Sequence, residues 1–262
     1  DEFRKYGKSK ENRPNPIVQM GLFMDGDGIP IALDITSGNT NEQTTLKPLE
    51  EKIIKDFNTS KFIVCTDAGL ASAANRKFNN TNDRRFITTQ SIKQLKKFLK
   101  QWALDLTSGW KLCGSDKTYN ISKLRDDDEL IKKYYDKTFY KERWIKENDL
   151  EQRLIITYSP KYQKYQKKIA LKLIESKPQK LGKPKQNDPK RFITTISTTT
   201  NGEVAEENHY ELNQETIMNE AQYDGLYAVC TNLEDNVEDI IKINHNRWEI
   251  EESFRIMKSE FK

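Results

Sequence analysis

The sequence predicts an α/β protein, with a mixed sheet flanked by helices and a β-rich insertion in its second half. Three observations support this class. Short, mostly apolar runs of five to eight residues, typical of buried strands, occur at 17–24, 29–36, 62–66 and 225–231. Stretches with the 3.6-residue helical period lie between and after these runs. From about residue 104 to 223, the pattern changes to mostly strands, one of which, at 192–199, alternates Thr with apolar residues.

Residues 1–103 are predicted to form the first part of the α/β core. They begin with a polar, basic lead-in, residues 1–16, whose prolines disfavour a helix. The turn D-G-D-G at 25–28 joins the first two strands into a hairpin. Thr40 or Asn41 is positioned to cap the next helix. The further elements are a helix to about residue 57, a strand at 62–66, a helix at 72–78, a strand at 85–89 and a helix at 92–102.

Residues 104–223 are predicted to form the β-rich insertion, and residues 224–262 the last part of the core. The core resumes with a buried strand, followed by a helix that leads into a C-terminal helix. The expected elements of this half are strands at 134–144, 153–158, 192–199 and 225–231 and helices at 161–176 and 235–243.

The composition indicates a protein with a very polar surface. Hydrophobic residues make up 35% of the chain, charged residues 32%, and the mean hydropathy is -0.87. No apolar run approaches the roughly 18 residues of a membrane helix, and the first ten residues lack a signal peptide's apolar core. Cys65, Cys113 and Cys230 are far apart without His at ligand spacing, which indicates reduced structural thiols. We therefore expect a cytoplasmic protein without a membrane segment.

The net charge of +4 is unevenly distributed. Residues 160–191, the basic segment, contain eleven Lys or Arg against Glu175 and Asp188, a local balance of +9 that leaves about -5 for the rest. With Tyr162 and Tyr165 interleaved, this segment is suited to lie along a phosphate backbone. A solvated helix followed by a flexible Lys- and Pro-rich loop gives the same composition, so the sequence leaves both interpretations open.

The stretch 244–258, N-H-N-R-W-E-I-E-E-S-F-R-I-M-K, has apolar residues at three- and four-residue intervals and no Gly or Pro. This pattern predicts one amphipathic helix. Its spacing places four polar residues on one edge: Asn244, Arg247, Glu251 and Lys258. A carboxylate among these groups is typical of a metal ligand beside bound phosphates. A solvated helix face with i,i+4 charge pairs gives the same pattern, and this alternative stays open.

The motif R-W-x-I-E-x-x-F-R-x-x-K in this stretch resembles the Y-(2)-R-(3)-E-(6)-K signature of bacterial insertion-sequence transposases of the DDE type. The resemblance spans nearly the whole chain. It implies that Glu251 is the third catalytic carboxylate and that Arg247 and Lys258 are the signature residues that bind DNA. Asn244 stands where the signature has Tyr.

The resemblance also implies an RNase H-like core with a second catalytic carboxylate, Asp67. This residue ends the strand 62–66, and open α/β sheets place their sites at the C-terminal ends of strands. By itself, D-A-G also fits a helix cap or a turn. The first catalytic Asp of the family lies on a strand before the hairpin, and the lead-in does not supply one. We therefore expect a fragment of a longer transposase.

The function implied by the resemblance is Mg²⁺-dependent DNA strand cleavage and strand transfer of an insertion sequence. Asp67 and Glu251 are the implied metal ligands, with two Mg²⁺ in the complete enzyme and Mn²⁺ as a substitute. The implied partners are terminal inverted repeats, target DNA and a second copy of the chain in a homodimeric complex. The implied location is the bacterial cytoplasm, at the nucleoid when DNA is bound. Because the first Asp is missing, a catalytically silent DNA-binding remnant is the alternative.

Overall fold

The fold is described by a computed structural model for residues 3–7, 15–59, 61–81, 83–175, 192–198, 207–247, 250 and 253. Eleven strands and eight α-helices occur among these residues. The strands are β1 (Val18–Met24), β2 (Pro30–Ser37), β3 (Phe62–Thr66), β4 (Arg84–Thr89), β5 (Trp110–Leu112), β6 (Thr118–Tyr119), β7 (Phe139–Glu147), β8 (Leu150–Tyr158), β9 (Ile193–Thr198), β10 (Glu207–Leu212) and β11 (Leu226–Thr231). The helices are α1 (Leu46–Phe57), α2 (Ala73–Phe78), α3 (Lys97–Leu104), α4 (Ile121–Arg125), α5 (Asp128–Lys133), α6 (Pro160–Glu175), α7 (Gln214–Ala221) and α8 (Val237–Asn246).

Seven strands form one mixed sheet in the order β3-β4-β11-β8-β7-β5-β6. β3 and β4 run parallel, from Phe62 opposite Arg84 to Thr66 opposite Thr88, and the chain crosses between them through α2. β11 pairs antiparallel with β4. The hairpin β1–β2 and the pair β9–β10 form separate two-stranded sheets. The predicted α/β class, with a mixed sheet flanked by helices, is confirmed.

The chain divides into two compact units. The first unit contains residues 1–94, 142–156 and 228–262, and the second contains residues 95–141 and 157–227. The predicted division into a core and a β-rich insertion at 104–223 stays a prediction. Residues 142–156, in the middle of that stretch, belong to the first unit.

In the first unit, apolar side chains of α1, β3, β4 and α8 are buried. The apolar positions of α1 recur at three- and four-residue steps, which gives this helix one buried face. Asn41, one of the two predicted caps, accepts a hydrogen bond from the Gln43 amide (3.1 Å) and starts the 3-10 turn Glu42–Thr44 that leads into α1. The buried set is Leu46, Leu49, Ile53, Val64, Phe86, Ile87, Val237 and Ile240.

In the second unit, the core contains a cluster of aromatic rings. The Phe139 ring lies 5.1 Å from the Tyr119 ring and 5.5 Å from the Tyr134 ring, measured between centroids. Trp110 and Tyr158 meet edge to face at 6.5 Å. Trp110, Phe139 and Tyr158 are fully buried, so these rings supply much of the apolar surface that this unit removes from water.

The predicted insertion contains more helix than its sequence pattern indicates. Helices α4, α5 and α7 were not predicted, and neither were β5, β6 and β10. The predicted strand at 134–144 begins only at Phe139, because Tyr134 is the C-cap of α5. The cap that starts α5 is Asp127, whose carboxylate accepts hydrogen bonds from the amides of Glu129 and Leu130. None of the described helices is both long and apolar enough to cross a bilayer.

Candidate active site

Asp67 follows β3 at its C-terminal end, with its side chain exposed. Its backbone is extended, and its Oδ1 atom accepts hydrogen bonds from the amides of Gly69 (2.9 Å) and Leu70 (3.2 Å). These bonds start the one-turn 3-10 helix Ala68–Leu70. Asp67 is therefore both an N-cap, which the D-A-G pattern allowed, and an accessible carboxylate at a sheet edge where α/β proteins bind ligands.

Gly69 lets a second carboxylate come close to Asp67. A Cβ atom at position 69 would lie 3.2 Å from Asp67 Oδ1 and 3.5 Å from Glu42 Oε2. Glu42 is exposed and belongs to the 3-10 turn before α1. The structure thus places carboxylate oxygens of both Asp67 and Glu42 within 3.5 Å of the point where a Cβ of residue 69 would stand, and the sequence did not reveal Glu42 as a neighbour.

Two side chains of α2 hold the backbone that follows Asp67. The buried Asn75 donates from Nδ2 to the carbonyl oxygens of Gln43 (3.0 Å) and Leu70 (2.9 Å), and so ties the two 3-10 turns together. Arg76 donates from Nε to the Ala71 carbonyl oxygen (3.1 Å). Both residues therefore fix the turn that orients the Asp67 carboxylate.

The Arg76 guanidinium also reaches the ends of two sheet strands. It donates to the side-chain oxygens of Gln152 (2.9 Å) and Gln90 (2.8 Å). The amide of Gln90, which follows β4, donates to the Ala228 carbonyl oxygen (2.8 Å). This network gives the sheet edge beside Asp67 a fixed geometry. Sequence reasoning missed Asn75 and Arg76, and the available signal was only two polar residues in the short helix after Asp67.

The start of the predicted C-terminal helix lies against β3. The Cys65 thiol donates to Asn244 Oδ1 at 3.7 Å. Burial raises the pKa of the Cys65 thiol to about 11, and the nearby Arg247 charge opposes this shift. Cys65 and Asp67 are two residues apart on extended backbone, and alternation along a strand predicts that their side chains share a face. The structure brings Asn244 against Cys65, two residues before Asp67 in the chain.

The predicted single helix over 244–258 is wrong at its beginning. Asn244 belongs to the last turn of α8, which ends at Asn246, and Arg247 is the C-cap of α8. Ile250 and Ser253 are again helical, and the Ile250 amide donates to the Arg247 carbonyl oxygen (3.2 Å). Glu251 and Lys258 lie outside the described residues. The prediction that all four polar residues share one helix edge thus stays a prediction for Glu251 and Lys258.

The residues that could hold a metal at this site are carboxylates. Among the described parts of the chain, no group of three His, Cys, Asp or Glu side chains is arranged for metal binding. Asp67 fits a hard divalent cation by its chemistry and its exposure, because Mg²⁺ takes oxygen ligands and retains water.

The comparison with protein families shows which family the chain belongs to. The whole chain, residues 1–262, matches the family described as transposase DDE domain. The chain belongs to this family. No curated protein and no solved structure matches it. Membership in the transposase DDE domain family confirms the resemblance to DDE transposases, and the mixed sheet flanked by helices is consistent with an RNase H-like transposase fold. A transposase family acts on DNA, so DNA is the expected partner of the chain.

Proposed function

We propose that this protein catalyses metal-dependent cleavage and strand transfer of the DNA of an insertion sequence. Asp67 and Glu251 are its catalytic carboxylates and metal ligands, and Arg247 and Lys258 bind DNA phosphates. Family membership supplies the reaction class. The observation that carries the assignment of residues is the contact between Asn244 and Cys65, because it joins the start of the signature to the strand that ends in Asp67.

The spacing of the signature supports a shared site. Glu251 follows Arg247 by four residues, about one helical turn. The Arg247 charge acts on the Cys65 thiol, and Cys65 stands two residues before Asp67 in the chain, which supports a position of Arg247 beside the proposed site. We therefore expect the carboxylates of Asp67 and Glu251 to approach within about 4–8 Å, near enough to flank a metal pair.

Each residue of the site has a distinct task in this reaction. The backbone amides that donate to Asp67 fix the direction of its carboxylate, so little reorganisation is needed when a cation is bound. Asp67 and Glu251 would hold Mg²⁺, or Mn²⁺ as a substitute, and the ion would supply activation of the attacking water or 3′-hydroxyl and stabilisation of the leaving 3′-oxygen. Arg247 orients a phosphate through its guanidinium fork, and Lys258 adds a point charge beside it.

The proposed partners are the terminal inverted repeats of the element, target DNA and a second copy of the chain. We place this activity at the nucleoid in the bacterial cytoplasm. Sedimentation of the protein with and without terminal-repeat DNA tests the homodimer, because two protomers per complex are expected.

Iron-mediated cleavage tests the shared metal site without relying on activity. Fe²⁺ replaces Mg²⁺ at oxygen sites, and with ascorbate and peroxide it produces radicals that cut the polypeptide nearby. We expect cuts next to Asp67 and Glu251, competed by Mg²⁺ and absent in Asp67→Asn. The control Asp56→Asn changes an exposed acid of α1 and should retain both cuts. Cuts beside only one of the two carboxylates would overturn the shared site.

The same variants test the chemistry. Asp67→Asn should lower Mg²⁺-dependent strand cleavage by about three to four orders of magnitude, since lost metal stabilisation of about 4–6 kcal/mol corresponds to that factor. Its DNA affinity should change little. DNA binding by the unsubstituted protein without any cleavage would instead support a catalytically silent DNA-binding remnant.

A further inference from the structure

Helix α6 presents exposed cations that the proposed active site does not use. Among its described side chains, those of Lys161, Lys164 and Lys168 are exposed and lie at helical steps of three and four residues, so they share one face. Glu175, at the end of α6, is its only acidic residue. Two acids lie nearby: Asp136 pairs with Lys161 (3.1 Å), and Asp224 approaches Tyr162. The face retains a positive balance.

The same part of α6 carries two stacked tyrosines. The rings of Tyr162 and Tyr165 lie 6.4 Å apart between centroids, with an angle of 19° between their planes. Tyr162 is 36% exposed and Tyr165 is 59% exposed. Their stack is therefore open to solvent, unlike the buried rings of the aromatic core of the second unit. Ile169 and Leu171 add further exposed apolar surface to the helix.

The opposite face of α6 is fixed by hydrogen bonds. The buried Gln163 amide is hydrogen-bonded to the Tyr158 hydroxyl (2.7 Å). The Gly225 amide donates to Gln166 Oε1 (2.6 Å), and a Cβ at Gly225 would crowd Tyr158 and Gln163. These contacts set the orientation of α6, so the lysines and tyrosines are presented on a rigid element rather than on a loop.

From this arrangement we propose that the exposed face of α6 binds single-stranded DNA. Unpaired bases stack on Tyr165, and Lys164 and Lys168 hold the adjacent phosphates. Aromatic rings interleaved with cations are how proteins bind single strands without sequence preference. Duplex DNA keeps its bases stacked on each other, so it can use the lysines but not the ring. The choice of DNA as the polymer rests on the proposed function.

Fluorescence anisotropy with single-stranded and duplex DNA of one sequence tests this proposal. Tyr165→Leu should weaken single-strand binding about 5- to 100-fold, the range for loss of one stacked base, and leave duplex binding unchanged. Tyr165→Phe keeps the ring and should retain the affinity. Because Tyr165 is exposed, both variants should fold, which circular dichroism verifies. Unchanged single-strand affinity in Tyr165→Leu, or an equal loss for both DNAs, would overturn the proposal.

The lysines are tested by the salt dependence of binding. Lys164→Gln with Lys168→Gln should reduce the slope of log K against log salt for single-stranded DNA by up to about 1.4, about 0.7 for each phosphate contact. The matched control, Lys52→Gln with Lys55→Gln, removes two exposed charges from α1 and should leave the slope unchanged. Equal slope changes in both double variants would show a general charge effect and reject this surface.

These measurements are independent of the active-site proposal. Asp67→Asn should keep the single-strand affinity and lose cleavage. Tyr165→Leu should keep the iron-mediated cuts and lose single-strand affinity. Failure of one proposal therefore remains distinguishable from failure of the other.

Discussion

The two compact units of this protein use buried polar groups differently. In the first unit, Asn75 and Arg76 donate to turns and strand ends around an exposed carboxylate. In the second unit, buried rings dominate, and the buried cation Lys141 lies 5.0 and 4.8 Å from the ring centroids of Trp102 and Trp110.

This difference in buried groups suits each unit to its proposed task. The hydrogen bonds of the first unit are directional, so they fix the positions of individual atoms near Asp67. The aromatic core of the second unit supplies mainly apolar burial, which supports a rigid helix without constraining its outer face. Substitutions of buried polar groups should therefore affect the metal site only in the first unit.

The largest expected effect on stability comes from Lys141→Met. Lys141 donates to the carbonyl oxygens of Trp102 and Asp105, at the C-terminal end of α3. Met leaves these buried acceptors unsatisfied, which should lower the free energy of unfolding by about 3 kcal/mol in urea titrations. The iron-mediated cuts at Asp67 should persist, whereas their loss would contradict the separation of tasks.

Lys141 should also give stability a characteristic pH dependence. Burial lowers the pKa of Lys141 to about 8 from 10.5, and Asp105 opposes the shift. Because Lys141 keeps its proton to higher pH in the unfolded chain than in the folded one, the free energy of unfolding should rise as pH increases from about 8 to about 10.5. Lys141→Met should lack this rise.

A smaller change in the free energy of unfolding, of opposite sign, is expected for Glu50→Gln in the first unit. Glu50 is fully buried, and burial raises its pKa to about 7 from 4.5, against a hydrogen-bonded Asn79 and the Arg84 charge. Stability should therefore fall as pH rises from about 4.5 to about 7. Gln keeps an acceptor for Asn79 and removes the charge. At pH 8, the free energy of unfolding of Glu50→Gln should therefore exceed that of the unsubstituted protein by about 2 kcal/mol.

The smallest effects are expected from a matched pair of helix caps. Ser72 caps α2 by accepting from the Asn75 amide (3.2 Å), and Asn213 caps α7 by accepting from the Thr216 amide (2.8 Å). Replacement of either by Ala should cost about 1 kcal/mol of unfolding free energy. Only Ser72→Ala should also weaken the iron-mediated cuts at Asp67, because Asn75 holds the adjacent turn. If both variants weakened these cuts equally, the expected difference between the two units in their influence on the metal site would be contradicted.

The two parallel strands at one edge of the sheet and the carboxylate that follows the first of them were predictable from sequence. The apolar run of β3 was predicted with the bounds that the structure has, because Asp67 ends it sharply. β5 and β6, of three and two residues, carry too few residues for any period to be recognised. Tyr134 favours a strand by its residue type, but it packs on Phe139 from the end of α5.

The surroundings of Asp67 could not be predicted in the same way. The partners of Asn75 and Arg76 come from Gln43, Leu70, Gln90 and Gln152, which only the folded chain brings together. The end of α8 before Arg247 could not be predicted either, since the helical period of the sequence continues through this residue. Local patterns thus identified a carboxylate, and long-range packing determined what holds it.

The position of β11 has a consequence for synthesis on the ribosome. β4 and β8 are both complete when residue 158 has been made, yet β11 lies between them in the sheet. The antiparallel neighbour of β4 therefore becomes available only after residues 226–231 are translated, about 7–30 s after β4 at 5–20 residues per second. During this interval, the edge of β4 that later pairs with β11 lacks its partner, and an unpaired strand edge is a template for pairing with another chain.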